Sequence, residues 1–343
     1  MPKYVNITAD DTISDTQKVT TGYFTGGVGT LSANNLTTSS LSTTQKNYYY
    51  TLQYSNEDQL SVTYGHIRGS GSDSVTNLKG ETEAIYRHYS NLILPPNEQK
   101  NGIQFTSGTL ANDIYVISAE RARMKDRINK KNWTLILTGS NTSGTEKTIT
   151  LTDDSEYATA TSTTIGPRYN IKSGSAGTLI DTDTRYGWFF PNMGLLVFDG
   201  SQLSSSLPGI TGASTASSAQ LDIRTGFGLA PELSTDATAD NAFKLVKTLK
   251  HANQTFRSEE DQTTVSYFCR AKARDFNFSN NPTFTSGSEN RMTNRGMEGN
   301  PQTFISSVGL YNVRNELVAI GKLSSPVKKN YATEATIKVN LTY

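Results

Sequence analysis

Three histidines, one cysteine and two acidic clusters are the residues of this sequence best equipped for chemistry. His66, His88 and His251 stand far apart, and none lies at i, i+4 from another metal-ligating residue type. No H-E-x-x-H or C-x-x-C occurs, so the ligand spacing of a tetrahedral zinc site is missing. Asp153-Asp154-Ser155-Glu156 and Asp181-Thr182-Asp183 are rich in oxygen and would suit a hard cation such as Ca²⁺. Neither completes an EF-hand loop, and a turn after a strand accounts for both equally well. The run from Gly65 to Ser74 contains G-x-x-x-G-x-G, but no helix follows it directly and no G-K-[ST] is present. It reads as a surface loop rather than a phosphate cradle. Cys269 lies in an apolar run, which points to a buried thiol and excludes an internal disulfide. No G-x-S-x-G or embedded catalytic His or Cys is visible. Paired carboxylates drawn from scattered strands stay open. The expectation is a non-enzymatic protein with no cofactor and no metal.

A second group is basic. Arg121, Arg123, Lys125, Arg127, Lys130 and Lys131 face only Glu120 and Asp126 in a segment read as a helix, residues 119–130, capped by Ser118. Such a stripe reads as a solvated face, a protein interface or a nucleic-acid contact. No aromatic stacking residues are interleaved, and the whole chain carries a net charge of only +1, so nucleic acid is not expected. Arginine at regular spacing suits protein contacts. Arg121, Arg123, Lys125 and Arg127 are therefore candidate interface residues. Tyr23 and Phe24, the one apolar punctuation in a Thr/Ser/Asn/Gly-rich opening, join them.

The elements that must position these groups are mostly strands. Residues 265–343 hold four alternating or apolar runs bounded by Asn, Pro, Gly or Ser. The last sets Ile337, Val339 and Leu341 against Lys338, Asn340 and Thr342, a strict period of two with one face expected buried. This antiparallel, β-sandwich-like module is expected to anchor the fold. Upstream, strands are read at 48–54 and 60–64, 114–117, 133–137 and 147–151, and a hairpin at 186–191 and 194–198. Helices are read at 81–94, with Ala84, Ile85, His88, Tyr89 and Leu92 on the apolar face, and at 240–256. Residues 169–177 read as a turn and 201–218 as a long surface loop or arm. The fold class is mainly β with a few inserted helices (α+β). Three parts are expected: an extended arm over 1–47, a mixed β/α domain over 48–264 with a loop at 201–240, and the β module 265–343.

Composition fits that outline. Charged residues are 18% and hydrophobic residues 35%, with Ser, Thr, Asn and Gly filling the difference. Aromatics at 9%, seventeen of them Tyr, supply core mass, so disorder is not indicated. The polar opening lacks the apolar stretch of a secretory leader, and no run is long enough to span a bilayer.

Several segments resemble virion structural proteins of contractile-tailed bacteriophages that infect cyanobacteria and other marine bacteria. They are Thr21-Gly22-Tyr23-Phe24-Thr25-Gly26-Gly27, Ser61-Val62-Thr63-Tyr64-Gly65-His66, Arg123-Met124-Lys125-Asp126-Arg127-Ile128-Asn129 and Arg185-Tyr186-Gly187-Trp188-Phe189-Phe190-Pro191. The C-terminal pieces SNNPTF, NPQTFISSVGLYN and ELVAIGKLSSPVKKN…EATIKVNLTY are similar to the closing β domain of phage baseplate proteins, wedge components among them. The resemblance implies a non-enzymatic subunit, assembled in the host cytoplasm and located in the virion tail. Its implied partners are other virion proteins in symmetric copies. Neck, sheath-associated, capsid or fibre-like glycan-binding roles, and a cell-envelope hydrolase, are the alternatives. For a glycan groove the one dense aromatic candidate is Trp188-Phe189-Phe190.

Overall fold

The structure, a computed structural model, describes residues 4–23, 31, 36–38, 48–69, 72, 80–140, 146–207, 241–250, 252–279, 281–286 and 291–343. The chain is mainly β with a few helices. In chain order the elements begin with β1 (Thr12–Tyr23), β2 (Leu36–Thr38), β3 (Tyr49–Tyr54), β4 (Glu57–His66) and α1 (Glu81–Ile93). Then come β5 (Asp113–Ala119), α2 (Arg121–Met124), β6 (Arg127–Ile128), β7 (Leu135–Ser140) and β8 (Glu146–Asp153). They continue with β9 (Thr161–Thr163), β10 (Gly166–Ser175), β11 (Thr178–Leu179), β12 (Gly187–Phe190), β13 (Leu195–Asp199), α3 (Gly200–Ser206) and α4 (Asn241–Lys250). The last are β14 (Arg257–Ala271), β15 (Thr285–Ser286), β16 (Arg291–Met292), β17 (Thr303–Tyr311), β18 (Leu317–Lys329) and β19 (Ala335–Thr342). Two units result: Val19–Glu260, and Met1–Lys18 together with Asp261–Tyr343.

The larger unit is built on one antiparallel sheet in the order β2-β3-β4-β5-β13-β12-β10-β8-β7. Its central strands are buried on both faces. Tyr115, Ile117, Phe189, Leu196 and Phe198 point into one core, and their strand neighbours Ile114, Val116, Trp188, Leu195 and Val197 into the other. Continuous apolar runs such as Gly187–Phe190 follow from this, since neither phase of the strand meets water. α4 packs on β3, β4 and β7, at opposite ends of the strand order, so the sheet wraps around that helix. Within the wrap, Trp133 is fully buried, with Phe189 at 5.2 Å and Phe256 stacked at 6.0 Å between ring centres. A buried aromatic of this kind is worth about 3–5 kcal/mol against alanine.

Several local expectations change. The β3–β4 turn is the expected hairpin, with Ser55 and Asn56 both at positive φ, as a two-residue type I′ connection needs. α1 forms where the acidic first turn and Pro95-Pro96 predict it, but it buries Thr82, Tyr86, Ser90 and Ile93. Ala84 and His88 are exposed. The face is rotated because its polar members are satisfied inside. Thr82 Oγ1 and Ser72 Oγ lie 2.9 Å apart, and the Tyr86 hydroxyl donates to Ala111 O while accepting from Ile103 N. The expected helix over 119–130 is a single turn, Arg121–Met124, stopped by Lys125 at φ 57°. Residues 169–177 are not a turn; most of them lie in β10, between β12 and β8. Residues 201–206 belong to α3, whose start is capped by the Asp199 carboxylate accepting from Ser201 N and Gln202 N. Residues 208–240, the rest of the expected loop, lie outside the described residues.

The smaller unit has a different economy. β14 pairs with β19 in antiparallel register, Tyr267 opposite Val339 and Cys269 opposite Ile337, and β1 lies on the other side of β14. Residues 12–18, expected within an arm, are thus a sheet strand. β17 and β18 form a long antiparallel hairpin. Among the unit's described residues, Ala271, Pro301 and Leu310 are the only buried apolar side chains. The period of two in β19 is present, but Ile337, Val339 and Leu341 are half-buried. The module expected to anchor the fold therefore holds little of the core. Val339→Asp should cost about 1–3 kcal/mol, less than a fully buried site would. A thermal melt of this variant at the wild-type temperature would mean that Val339 faces solvent.

One polar residue is fully enclosed here. The Lys329 ammonium donates to Ala273 O at 3.0 Å, Asn277 Oδ1 at 2.8 Å and Asn330 O at 2.9 Å. All three acceptors are neutral oxygens, and together they use its three donors.

Candidate protein-interaction surface

The basic residues singled out above are occupied within the larger unit. Arg123 pairs with Glu57, Lys125 with Glu260, and Arg127 with Glu259 at 3.2 Å. Arg121 approaches Asp126 at 3.9 Å and donates to the Asp126 and Asn192 carbonyls. Glu57 comes from the start of β4, and Glu259 and Glu260 from β14, which the sequence could not place opposite this segment. Each of these four basic side chains thus has an acidic partner within the unit. The side chain of Tyr23 and all of Phe24 lie outside the described residues.

The acidic clusters are spent on the backbone. Asp153, fully buried, accepts from Lys131 N and Ser155 N, and Asp154 accepts from Asn170 N and Asn170 Nδ2. Asp181 accepts from Asp183 N and Thr184 N, and hydrogen bonding to Thr184 and Asp183 holds its carboxyl below the usual range. The described residues contain no group of three or more His, Cys, Asp or Glu side chains placed to hold a metal. Cys269 is half-buried, and burial pushes its thiol up, away from the thiolate that would react.

A titratable network does form, at the end of β4. The Tyr64 hydroxyl donates to Asp113 Oδ1 at 2.5 Å, and His66 Nε2 lies 3.8 Å from the same oxygen. Arg68 N donates to His66 Nδ1, which places the neutral ring's proton on Nε2, facing Asp113. Burial raises Asp113, against the opposing pull of Tyr64, His66 and Lys244. Burial first, and the Asp113 charge second, raise Tyr64 well above its ordinary value of 10.0. Tyr86 and Tyr89 are also raised, again mainly by burial. All three phenols keep their protons in the folded state above the pH at which the unfolded chain loses them. Their contribution is complete below about pH 10 and is lost as the pH rises through the folded values. Unfolding free energy should fall above pH 10, by up to about 1.4 kcal/mol per pH unit for each such tyrosine. Denaturant titrations from pH 9 upward should show a shallower fall in Tyr64→Phe; an identical slope would remove Tyr64 from the account.

No family model, curated protein or solved structure matches this chain. The surface must be read from its own chemistry. Trp188, Phe189 and Phe190 are at most 3% exposed, so they are core and not a groove for sugars. No helix of the described residues is long and apolar enough to cross a membrane.

The feature that stands out is the outer face of the β17–β18 hairpin. Phe304 is 61% exposed, Leu317 52%, Val318 62% and Ile320 59%. Tyr311 is exposed beside them, with Tyr4 packed edge-on at 5.1 Å. The inward phase of β18 carries Ala319, Gly321 and Leu323, all half-buried, with Gly321 in contact range of Val339. Val318 and Ile320 point the other way. At the hairpin tip, Asn312 Oδ1 accepts from Arg314 N and Glu316 N, both at 2.9 Å, and Asn315 is left-handed at φ 60°. That closed tip presents Val313, which is fully exposed. Such exposed apolar side chains, clustered near the tip and extending to Phe304, are what protein contacts bury.

Proposed function

We propose that this chain is a non-enzymatic structural subunit of a phage virion, a tail baseplate component that works by binding other virion proteins. The observation that carries the reading is the outer face of β17–β18. Phe304, Leu317, Val318 and Ile320 stand in water on a unit with almost no apolar core of its own among the described residues. Burial against a neighbour would give that unit the apolar contacts it lacks. A rigid tip with an exposed valine suits insertion between such neighbours. The segment resemblance to marine-phage virion proteins supplies the particle, and the likeness of residues 265–343 to baseplate components supplies the place in it.

The test is a cryo-EM map of the intact particle into which this chain is traced. The expected result is density at the distal end of the tail, in symmetric copies, with β17–β18 against a neighbouring subunit. Density at the neck, sheath or capsid would overturn the baseplate assignment while keeping a structural role. Absence of the chain from the particle would overturn the proposal.

A further inference from the structure

The opposite kind of surface occurs in the larger unit, where two arginines are gathered without an ion-paired acid between them. Arg168, on β10, lays its guanidinium over the Trp188 ring at 4.1 Å from the ring centre. Trp188 in turn packs on Phe105, ring centres 4.8 Å apart. The Phe105 carbonyl accepts from Arg185 Nη1. Phe105 thus ties the second arginine to the same indole. Both arginines are half-buried.

Their donors are largely unspent. The Arg168 guanidinium makes no hydrogen bond or ion pair with the described residues. Arg185 Nε and Trp188 Nε1 are buried N–H groups without a hydrogen-bond partner, the latter on a side chain 97% enclosed (3% exposed). Buried donors with no acceptor are uncommon in folded proteins, so two such donors beside two cations need a reason. Burial, and then the Arg185 charge, lower Arg168 from its ordinary value, whereas exposed Glu98 acts on it without forming an ion pair. Two half-buried like charges cost free energy that a bound anion would remove.

We propose that Arg168 and Arg185, set against Trp188, form a binding site for an oxyanion: a carboxylate, sulfate or phosphate. Guanidinium groups have a planar fork of donors that meets two oxygens of such a group at once. The indole under Arg168 fixes the plane of that fork, which lowers the ordering cost of binding. Two sources share this chemistry: a free or esterified tetrahedral anion, and an acidic side chain of another protein. The site lies on β10, on the segment leading into β12 and on β12 itself. The proposal does not rest on the virion assignment, and its test requires no particle.

The experiment is a titration of the ¹⁵N-tryptophan-labelled full chain, read at the two indole N–H signals. Sodium sulfate, sodium phosphate and N-acetyl-aspartate amide are added separately at constant ionic strength, with chloride as the control. The expected result is a saturable shift of the Trp188 signal below about 10 mM of at least one oxyanion, with Trp133 unmoved. Saturation by sulfate or phosphate supports a free or esterified anion, and saturation by the aspartate compound alone supports a protein carboxylate. Arg168→Gln should weaken the binding at least about tenfold. Arg168→Lys, which keeps the charge but loses the fork, should fall between the two. No saturable shift with any of the three, or unchanged binding in both variants, would overturn the proposal. If Arg168→Gln fails to fold, the wild-type titration and Arg168→Lys still decide.

Discussion

Gln254→Ala is expected to lower the stability of the larger unit by about 4 kcal/mol. Gln254 is fully buried, and its amide behaves as a piece of strand. Oε1 accepts from Ile136 N at 2.8 Å, while Nε2 donates to Ile136 O at 2.8 Å and Leu249 O at 2.9 Å. Its own backbone pairs with Leu31, and Thr255 pairs with Thr134. β7 is the last strand in the order, and this residue closes its free edge while tying it to the end of α4. Alanine would strand an N–H and two carbonyls in a dry place, each costing about 1–3 kcal/mol. Glutamate would do no better, because a carboxylate cannot donate to Ile136 O or Leu249 O. Guanidinium unfolding followed by tryptophan fluorescence reads the effect, since both tryptophans lie in this unit. A loss under about 1 kcal/mol would mean that water replaces the amide, and the edge-closing role would be wrong.

The second large effect is one of binding without folding. Ile320→Asp should leave the melting behaviour within about 0.5 kcal/mol of wild type, because the side chain is already mostly in water. Incorporation into particles should nevertheless drop about a hundredfold or more, since a carboxylate would be desolvated at the centre of the contact. Ser324→Asp, an exposed polar position further along β18, is the matched control and should incorporate normally. Particles that take up Ile320→Asp as readily as wild type would show that this face is not the contact.

How much of this was legible in the sequence depends on what decided each feature. Strands were legible where alternation or β-branched runs decided them, as in β5, β12, β13 and β19. Side-chain partners from distant segments were not. The rotated face of α1 turns on Ser72 meeting Thr82 and on Tyr86 finding two backbone partners, which no helical periodicity encodes. The basic segment looked free because Glu57, Glu259 and Glu260 are far away in sequence. α3 was hidden by its serines, although Asp199 ahead of them is a capping signal that was there to use. The apolar face of β18 did leave a trace: Val318 and Ile320 alternate with the smaller Ala319 and Gly321.

The placement of β1 sets a schedule for the ribosome. Its residues 12–18 emerge long before their partner strand β14 and the strand beyond it, β19. At roughly 5–20 residues per second, β1 waits at least some ten seconds without a partner while Val19–Glu260 is made. The larger unit can fold in that interval; the smaller cannot, whatever its intrinsic rate. Synthesis rather than chemistry therefore times the appearance of the β17–β18 face, which is displayed only after the whole of Val19–Glu260 has been made.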